Sequence, residues 1–221
     1  MKFFRLIKST NPLVTGDCYP QIQTYNHSDL QVDSNFRELI SSSMLEKLDF
    51  TPIFPIFKLE YKAKFTDLLS NVRFDYTVSK KMLDIILSHN ILNYEFHPIK
   101  VQKKAKILDY YCFYIYGRAL EHIDLEKSIF YGDEDSHVSY SPRRYVKINQ
   151  IDDIIYWTKN NPNFPDLNSE KIVYKNYIKN LDMFKDFYFN SGNYVSEKLK
   201  LALESNGITG VEFEEVEIEI A

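Results

Sequence analysis

VSKKMLDIILSHNILNYEFHPIKV (Val78–Val101) and VSEKLKLALESNGITGVEFEEVEI (Val195–Ile218) are two ungapped versions of one pattern, 117 residues apart. Seven of the 24 positions are identical: Val78/Val195, Ser79/Ser196, Lys81/Lys198, Ser88/Ser205, Ile91/Ile208, Glu95/Glu212 and Phe96/Phe213. An internal repeat decides architecture before any single element does. Each copy opens on a serine in N-cap position, Ser79 or Ser196, whose hydroxyl accepts from an orphan N–H of the first helical turn. An apolar stripe follows at i, i+4, i+7, i+8, the spacing of one helix face: Val78, Met82, Ile85 and Ile86, then Val195, Leu199, Ala202 and Leu203. Both helices are predicted to stop at residues that tolerate left-handed backbone, His89-Asn90 and Asn206-Gly207.

After each helix the apolar alternation changes phase. Tyr94 and Phe96 occupy one parity and Ile99 and Val101 the other; Val211 and Phe213 likewise give way to Val216, Ile218 and Ile220. A one-residue slip would send the later side chains to the opposite face, so the spacing predicts a β-bulge at His97-Pro98 and at Glu214-Glu215. The expected fold is α+β: a single globular domain, 1–221, of two similar helix-strand lobes, 1–103 and 104–221, from an internal duplication around a mostly antiparallel sheet. Two unrelated helix-strand units in a biased composition are the competing reading.

Hydrophobic content of 44% and charged content of 26% are ordinary for a soluble globular chain, so extended disorder is not expected. Lys, Asn, Ile, Tyr and Phe are abundant and Ala, Gly and Arg scarce, so the aromatic content of 15% is assigned to compositional drift rather than to a recognition surface. Arg5 and Lys8 interrupt the apolar start, which argues against a signal peptide. No apolar run has the length of a membrane span. Only Cys18 and Cys112 are present, and Cys112 lies in an apolar run, as a buried free thiol does; a reducing cytoplasm fits.

Phe3–Ile7 reads as a first strand, followed by a polar loop through His27 and a helix over 34–48 carrying Phe36, Leu39, Ile40, Met44 and Leu48. Ile53–Tyr61 is extended, with Pro52 and Pro55 favouring a sheet edge, and Val72, Phe74 and Tyr76 form a short strand. Tyr110–Tyr116 is apolar on both parities and is the expected central strand. Val138/Tyr140 and Tyr145–Ile148 read as strands interrupted by Pro142, and 160–168 as a loop. Tyr174, Tyr177, Ile178 and Leu181 mark a helix capped by Ser169; Phe187–Phe189 is extended before a turn at Ser191-Gly192-Asn193.

Catalytic signatures are sparse. With six glycines there is no phosphate-binding loop, no GxGxxG and no nucleophile elbow. His122, Asp124 and His137, beside the acidic loop Asp133-Glu134-Asp135, are the residues from which a small metal-dependent or hydrolytic enzyme would be built. Their spacing is unspecific, and surface histidines with loop charges are the preferred reading. No catalytic residue, metal or cofactor is predicted. Lys100, Lys103, Lys104 and Lys106 form the basic cluster, read as a solvated loop. The net charge of −4 is concentrated at the end: Glu212, Glu214, Glu215, Glu217 and Glu219 fall in 211–221 with no basic residue. With the bulge, all five carboxylates would share the solvent face; such a strip repels nucleic acid and attracts a basic protein. The competing reading is an edge strand kept soluble by charge.

Tyr188–Lys200 continuing through Gly207–Phe213, together with Tyr110–Tyr116, Ile123–Ser128 and the Val78-Ser79 helix start, resembles the eleventh-numbered immunity family of bacterial polymorphic toxin systems. The resemblance spans most of 70–216. It implies a cytoplasmic protein, not an enzyme, that binds and neutralises a cognate toxin protein, with no nucleic acid or membrane partner. It brings no catalytic residues and no toxin-contact positions. The toxin-binding candidates are therefore Glu212, Glu214, Glu215, Glu217 and Glu219, whose carboxylates would complement a basic cleft.

Overall fold

The computed structural model describes residues 2–25, 47, 50–71, 76–116, 121–133, 143–150, 152–153, 156, 166–186, 189 and 192–221. The helix expected over 34–48 falls outside these except for residue 47, and Val72, Phe74, Glu134, Asp135, His137, Val138, Tyr140, Phe187 and Ser191 fall outside altogether. In chain order the elements are β1 (Phe3–Lys8), α1 (Pro12–Thr15), β2 (Ile22–Tyr25), β3 (Ile56–Leu59), β4 (Leu68–Leu69), β5 (Tyr76–Val78), α2 (Lys80–Leu87), β6 (Tyr94–Lys103), β7 (Lys106–Ile115), β8 (Ile129–Asp133), β9 (Arg143–Val146), β10 (Asp166–Lys171), β11 (Val173–Tyr174), a 3-10 turn (Asn176–Asn180), β12 (Met183–Asp186), β13 (Gly192–Ser196), α3 (Glu197–Ser205), β14 (Val211–Val216) and β15 (Glu219–Ile220).

These elements form two compact units. The first comprises 1–117, 181–185 and 193–216; the second comprises 118–180, 186–192 and 217–221. The 103/104 boundary falls in the β6–β7 turn, inside the first unit.

In the first unit β7 is an interior strand of the sheet β2-β3-β6-β7-β5-β4. Phe113 and Ile115 enter one apolar cluster, and Tyr110, Cys112 and Tyr114 enter another, so both faces of the strand are covered. That is the environment an uninterrupted apolar run requires. A second sheet has the order β12-β13-β1-β14.

Both repeat helices are capped as the sequence predicts: Met82 N–H donates to Ser79 and Leu199 N–H to Ser196, each at 3.2 Å. Met82, Leu83 and Ile86 of α2 and Leu199 and Leu203 of α3 are buried in one cluster, each side chain contributing roughly 1.5–3 kcal/mol of transfer free energy.

The predicted bulges are absent. Pairing of β6 with β7 is continuous from Tyr94↔Ile115 to Lys103↔Lys106, and of β14 with β1 from Val211↔Lys8 to Val216↔Phe3. The inward residues of β6 are Glu95, His97, Ile99 and Val101, all of one parity, while Tyr94 and Phe96 are exposed and lie against Phe113 and Tyr111. The phase change in β6 arose from reading those two half-exposed aromatic rings as core. Pro98 needs no bulge. Tyr116 N–H donates to Asn93 O, so the hydrogen-bonded pairs of this ladder fall on odd residues of β6 and Pro98 occupies a non-bonded position.

Other local expectations also change. β3 lies between β2 and β6, not at an edge, because Pro52 and Pro55 precede the strand. Ser169 caps no helix; it sits in β10, and the apolar residues after it form β11 and the 3-10 turn. Residues 166–168, expected in a loop, also belong to β10.

Beyond the 24-residue pattern, the two stretches share connectivity. Hairpin β4–β5, α2 and β6 correspond to β12–β13, α3 and β14, and β7 inserts between β5 and β6 as β1 inserts between β13 and β14, antiparallel in all four ladders. Asn93 and Gly210, 117 residues apart, both have positive φ (54° and 83°), and their carbonyls accept from Tyr116 N (2.7 Å) and Ser9 N (3.0 Å).

Upstream of the hairpins the spacing becomes 115, and Asp67 and Asp182 hold the two helix starts alike. Each carboxylate accepts from the capping serine hydroxyl, Ser79 or Ser196, at 2.7 Å. The other oxygen reaches the turn after the opposite helix: Asp67 accepts from Thr209 N–H (3.0 Å) and Asp182 from Asn90 N–H (3.0 Å). The α2 and α3 modules are therefore clasped reciprocally.

The second unit contains the antiparallel sheet β10-β8-β9 and the parallel pair β11–β15. Ile123, Phe130, Ile148, Val173, Tyr174 and Ile178 are buried, with Phe130 against Phe189 at 4.8 Å. Tyr174 donates to Asp186 (2.7 Å), which satisfies a buried hydroxyl.

Candidate functional site

The five glutamates do not share one face. Glu212, Glu214 and Glu215 lie on β14 in the first unit, whereas Glu217 and Glu219 belong to the second. With continuous pairing, Glu212 and Glu214 point to one side of the sheet, and Glu215 points to the side of Phe213. All five are exposed.

The sequence of the tail alone overstates its negative field. Strand β1 and the residues flanking it bring partners across the ladder: Arg5 meets Glu214 at 3.3 Å and Lys2 meets Glu215 at 2.8 Å, while Ser9 donates to Glu212 at 2.6 Å. In the second unit Lys171 meets Glu219 at 2.7 Å. These pairs are solvent-exposed and individually weak, so incoming basic side chains can exchange with them at little cost.

The backbone of β14 adds a second property. It pairs with β1 and has no other strand neighbour among the described residues. Ser9 N–H donates to Gly210 O, which sets the bonded pairs at Ile7/Glu212, Arg5/Glu214 and Phe3/Val216 and turns the N–H and C=O groups of Val211, Phe213 and Glu215 outward. The edge is thus open, short and glutamate-guarded.

His122 and Asp124 are each committed locally. His122 is buried, with Nδ1 at 2.7 Å from Tyr177 Oη, and that hydroxyl lies 3.1 Å from Glu121 O. Burial lowers the His122 pKa against the opposing pull of Glu121 and Asp186. Burial, then Glu121, pushes Tyr177 up to about 12. The Asp124 carboxylate accepts from Lys127 N–H (3.3 Å) and meets Lys127 Nζ at 3.1 Å, contacts that hold its pKa down. His122 also has a counterpart. Its carbonyl accepts from Lys175 N (2.9 Å), and Gln21 accepts from Glu60 N (2.9 Å); each is followed by a buried isoleucine, Ile123 or Ile22. His137 lies outside the described residues, among which no three His, Cys, Asp or Glu converge to hold a metal ion.

Cys112 is fully buried, and Cys18 is half-buried near Pro20 O. The polar group that sequence reading missed is Glu95–His97–Tyr114 on the inner face of β6 and β7. Tyr114 donates to the Glu95 carboxylate, His97 Nε2 lies 3.7 Å from Glu95, and the His97 ring stacks on Tyr114 at 5.9 Å. Burial lowers the His97 pKa although Glu95 pulls it upward. Its parity with Ile99 and Val101 was the available signal.

An open cleft of about 330 Å³ in the second unit is lined largely by apolar side chains of β8 and β9, with Glu126 and Lys147 as its charged lining. No helix among the described residues is long and apolar enough to cross a membrane.

Mixed sheets, locally committed polar groups and an open, charged strand edge define a protein whose distinctive chemistry is on its surface. Residues 18–218 match the Immunity protein family (Imm11), and the chain belongs to that family. No curated protein matches the chain.

Proposed function

We propose that this protein neutralises a toxin by stoichiometric protein–protein binding in the cytoplasm, without catalysis or a cofactor. Membership of the immunity family is the observation that carries the reading. The proposed contact surface is the glutamate-lined segment, Glu212, Glu214 and Glu215 on the open edge of β14 with Glu217 and Glu219 beyond it. Lysines or arginines of the toxin would replace Lys2 and Arg5 as ion partners, and a toxin strand could pair with the outward groups of Val211, Phe213 and Glu215.

Co-expression with the toxin encoded next to this gene tests the function: survival of the host supports it, and lethality with every neighbouring toxin refutes it. Replacing Glu215, Glu217 and Glu219 with Gln tests the surface. Weaker toxin binding with a shallower salt dependence and an unchanged unfolding midpoint supports the contact; unchanged affinity assigns the glutamates to solubility.

We also propose that 56–103 and 171–220 descend from one duplicated module. The shared ladders, the Asn93/Gly210 backbone and the Asp67/Asp182 clasps support it. Family alignments should match the two stretches at a spacing of 115 through Asp67/Asp182 and 117 from Val78/Val195. Halves that align no better than at random spacings would refute it.

A further inference from the structure

The tip of the β6–β7 hairpin lies against the loop that follows β3, and the two together carry Lys62, Lys64, Lys103, Lys104 and Lys106. Three contacts fix the arrangement: Lys103 Nζ donates to Ala63 O, Lys104 Nζ sits 4.9 Å from the Tyr61 ring centroid, and Lys106 Nζ sits 5.4 Å from that of Phe65. Lys64 Nζ donates to Leu13 O at 2.9 Å, which holds a fourth ammonium beside the same loop. Among the described residues none of the five meets a carboxylate within ion-pair distance, whereas Lys2, Lys80, Lys100, Lys127, Lys171 and Lys198 all do. The acidic residues on these and the adjoining loops are Asp17, Glu60 and Asp67, and the Asp67 carboxylate is taken up by Ser79 and Thr209.

The turn geometry adds an independent observation. Lys104 has φ of +53°, a conformation that asparagine or glycine adopts more cheaply than lysine. The turn therefore holds a cation at its tip at a conformational cost, over a tyrosine that is 72% exposed. Lysine is a poor choice for turn geometry here and a suitable one for presenting charge.

We propose that this lysine-and-tyrosine surface docks a short carboxylate-rich segment of a partner protein. Ammonium groups spaced along two touching loops match carboxylates on an extended peptide, and Tyr61 supplies apolar contact beside them. A long polyanion such as nucleic acid is a poorer fit, because the surface is built of lysines and carries none of the arginine forks that grip phosphates bidentately. The proposal is independent of the glutamate surface.

The probe is a short fluorescein-labelled poly-glutamate peptide, titrated with the full chain and read by anisotropy, beside single-stranded DNA of equal charge. Replacing Lys62, Lys103 and Lys104 together with Gln should weaken peptide binding about tenfold, given the usual worth of exposed charge pairs. Lys80→Gln, one charge change elsewhere in the same unit, should leave affinity unchanged. Lys104→Asn should keep or raise the unfolding midpoint while weakening the peptide, which separates binding from folding. No binding of the peptide, equal binding by the triple variant, or tighter binding of DNA overturns the proposal. Self-association of the wild type that the triple variant abolishes also overturns it, in favour of a second copy as occupant.

Discussion

Replacing Asp182 with alanine should destabilise the first unit by about 3–5 kcal/mol, because one carboxylate serves three donors on two modules. Its side chain is 7% exposed and accepts from Ser196 Oγ at 2.7 Å, Asn90 N–H at 3.0 Å and Lys198 Nζ at 3.2 Å. Hydrogen bonds to a charged group contribute roughly 1.5–3 kcal/mol each, and the Lys198 contact, whose ammonium end is mostly exposed, adds no more than about 1 kcal/mol. Asp182→Asn keeps an acceptor and should lose about 1–3 kcal/mol. Burial pushes the Asp182 carboxyl up, but the bonds from Asn90, Ser196 and Lys198 outweigh it and hold the pKa below the usual range. A carboxyl depressed in the folded state contributes stability above its unfolded pKa of about 3.9 and loses it as pH falls through the lower folded value. The mutational penalty should therefore be full at neutral pH and shrink below about pH 4. Urea midpoints followed by circular dichroism measure the loss, and amide exchange at Asn90 reports whether the clasp itself has opened. A loss under about 1 kcal/mol for the alanine variant, or unchanged exchange at Asn90, would refute the clasp.

Gly210→Ala should destabilise much more than Gly207→Ala in thermal melts. Both glycines have positive φ, but a Cβ at Gly210 would come within 2.2 Å of Leu68 O, whereas at Gly207 it meets nothing within 4 Å. About 1 kcal/mol is expected for Gly207 and several times that for Gly210, and equal losses would count against the close approach. Burial lowers the pKa of His97 and His122, so the folded state resists protonation that the unfolded chain accepts. Stability should fall as pH drops below about 6.5 toward the lowered folded values, and the double variant His97→Gln/His122→Gln should flatten that slope; identical slopes would sink the assignment. His122→Gln alone should be tolerated better than His122→Ala in urea melts, because Gln21 fills the corresponding place. Equal losses would argue that the correspondence is superficial.

What the sequence made legible was what short-range chemistry determines. A serine three residues before a free N–H caps a helix wherever it stands, so Ser79 and Ser196 were readable, as was β7 from a run apolar on both parities. The β6 bulge was misread because Tyr94 and Phe96 looked like core, while the inward Glu95 looked like surface until Tyr114 supplied its donor. Asp67 and Asp182 were invisible for a different reason. Their contacts span 142 and 92 residues, and the change of spacing from 117 to 115 removes them from an ungapped comparison.

The hardest feature to read was the strand that completes the second module. After β6 the chain turns directly into β7, which inserts between β5 and β6; after β14 there is no such return, and the N-terminal β1 fills the equivalent place. Nothing local ties Phe3–Lys8 to Val211–Val216, because the connection is made only by the ladder. Its consequence reaches the proposed function. The glutamates of β14 were read as a bare acidic strip because the strand that faces them is at the other end of the sequence, and that strand carries Arg5, with Lys2 just before it. Any toxin that binds this edge meets carboxylates already holding exchangeable cations, so the binding energy must come from the open backbone edge and from exchange of ion partners rather than from attraction to unopposed charge.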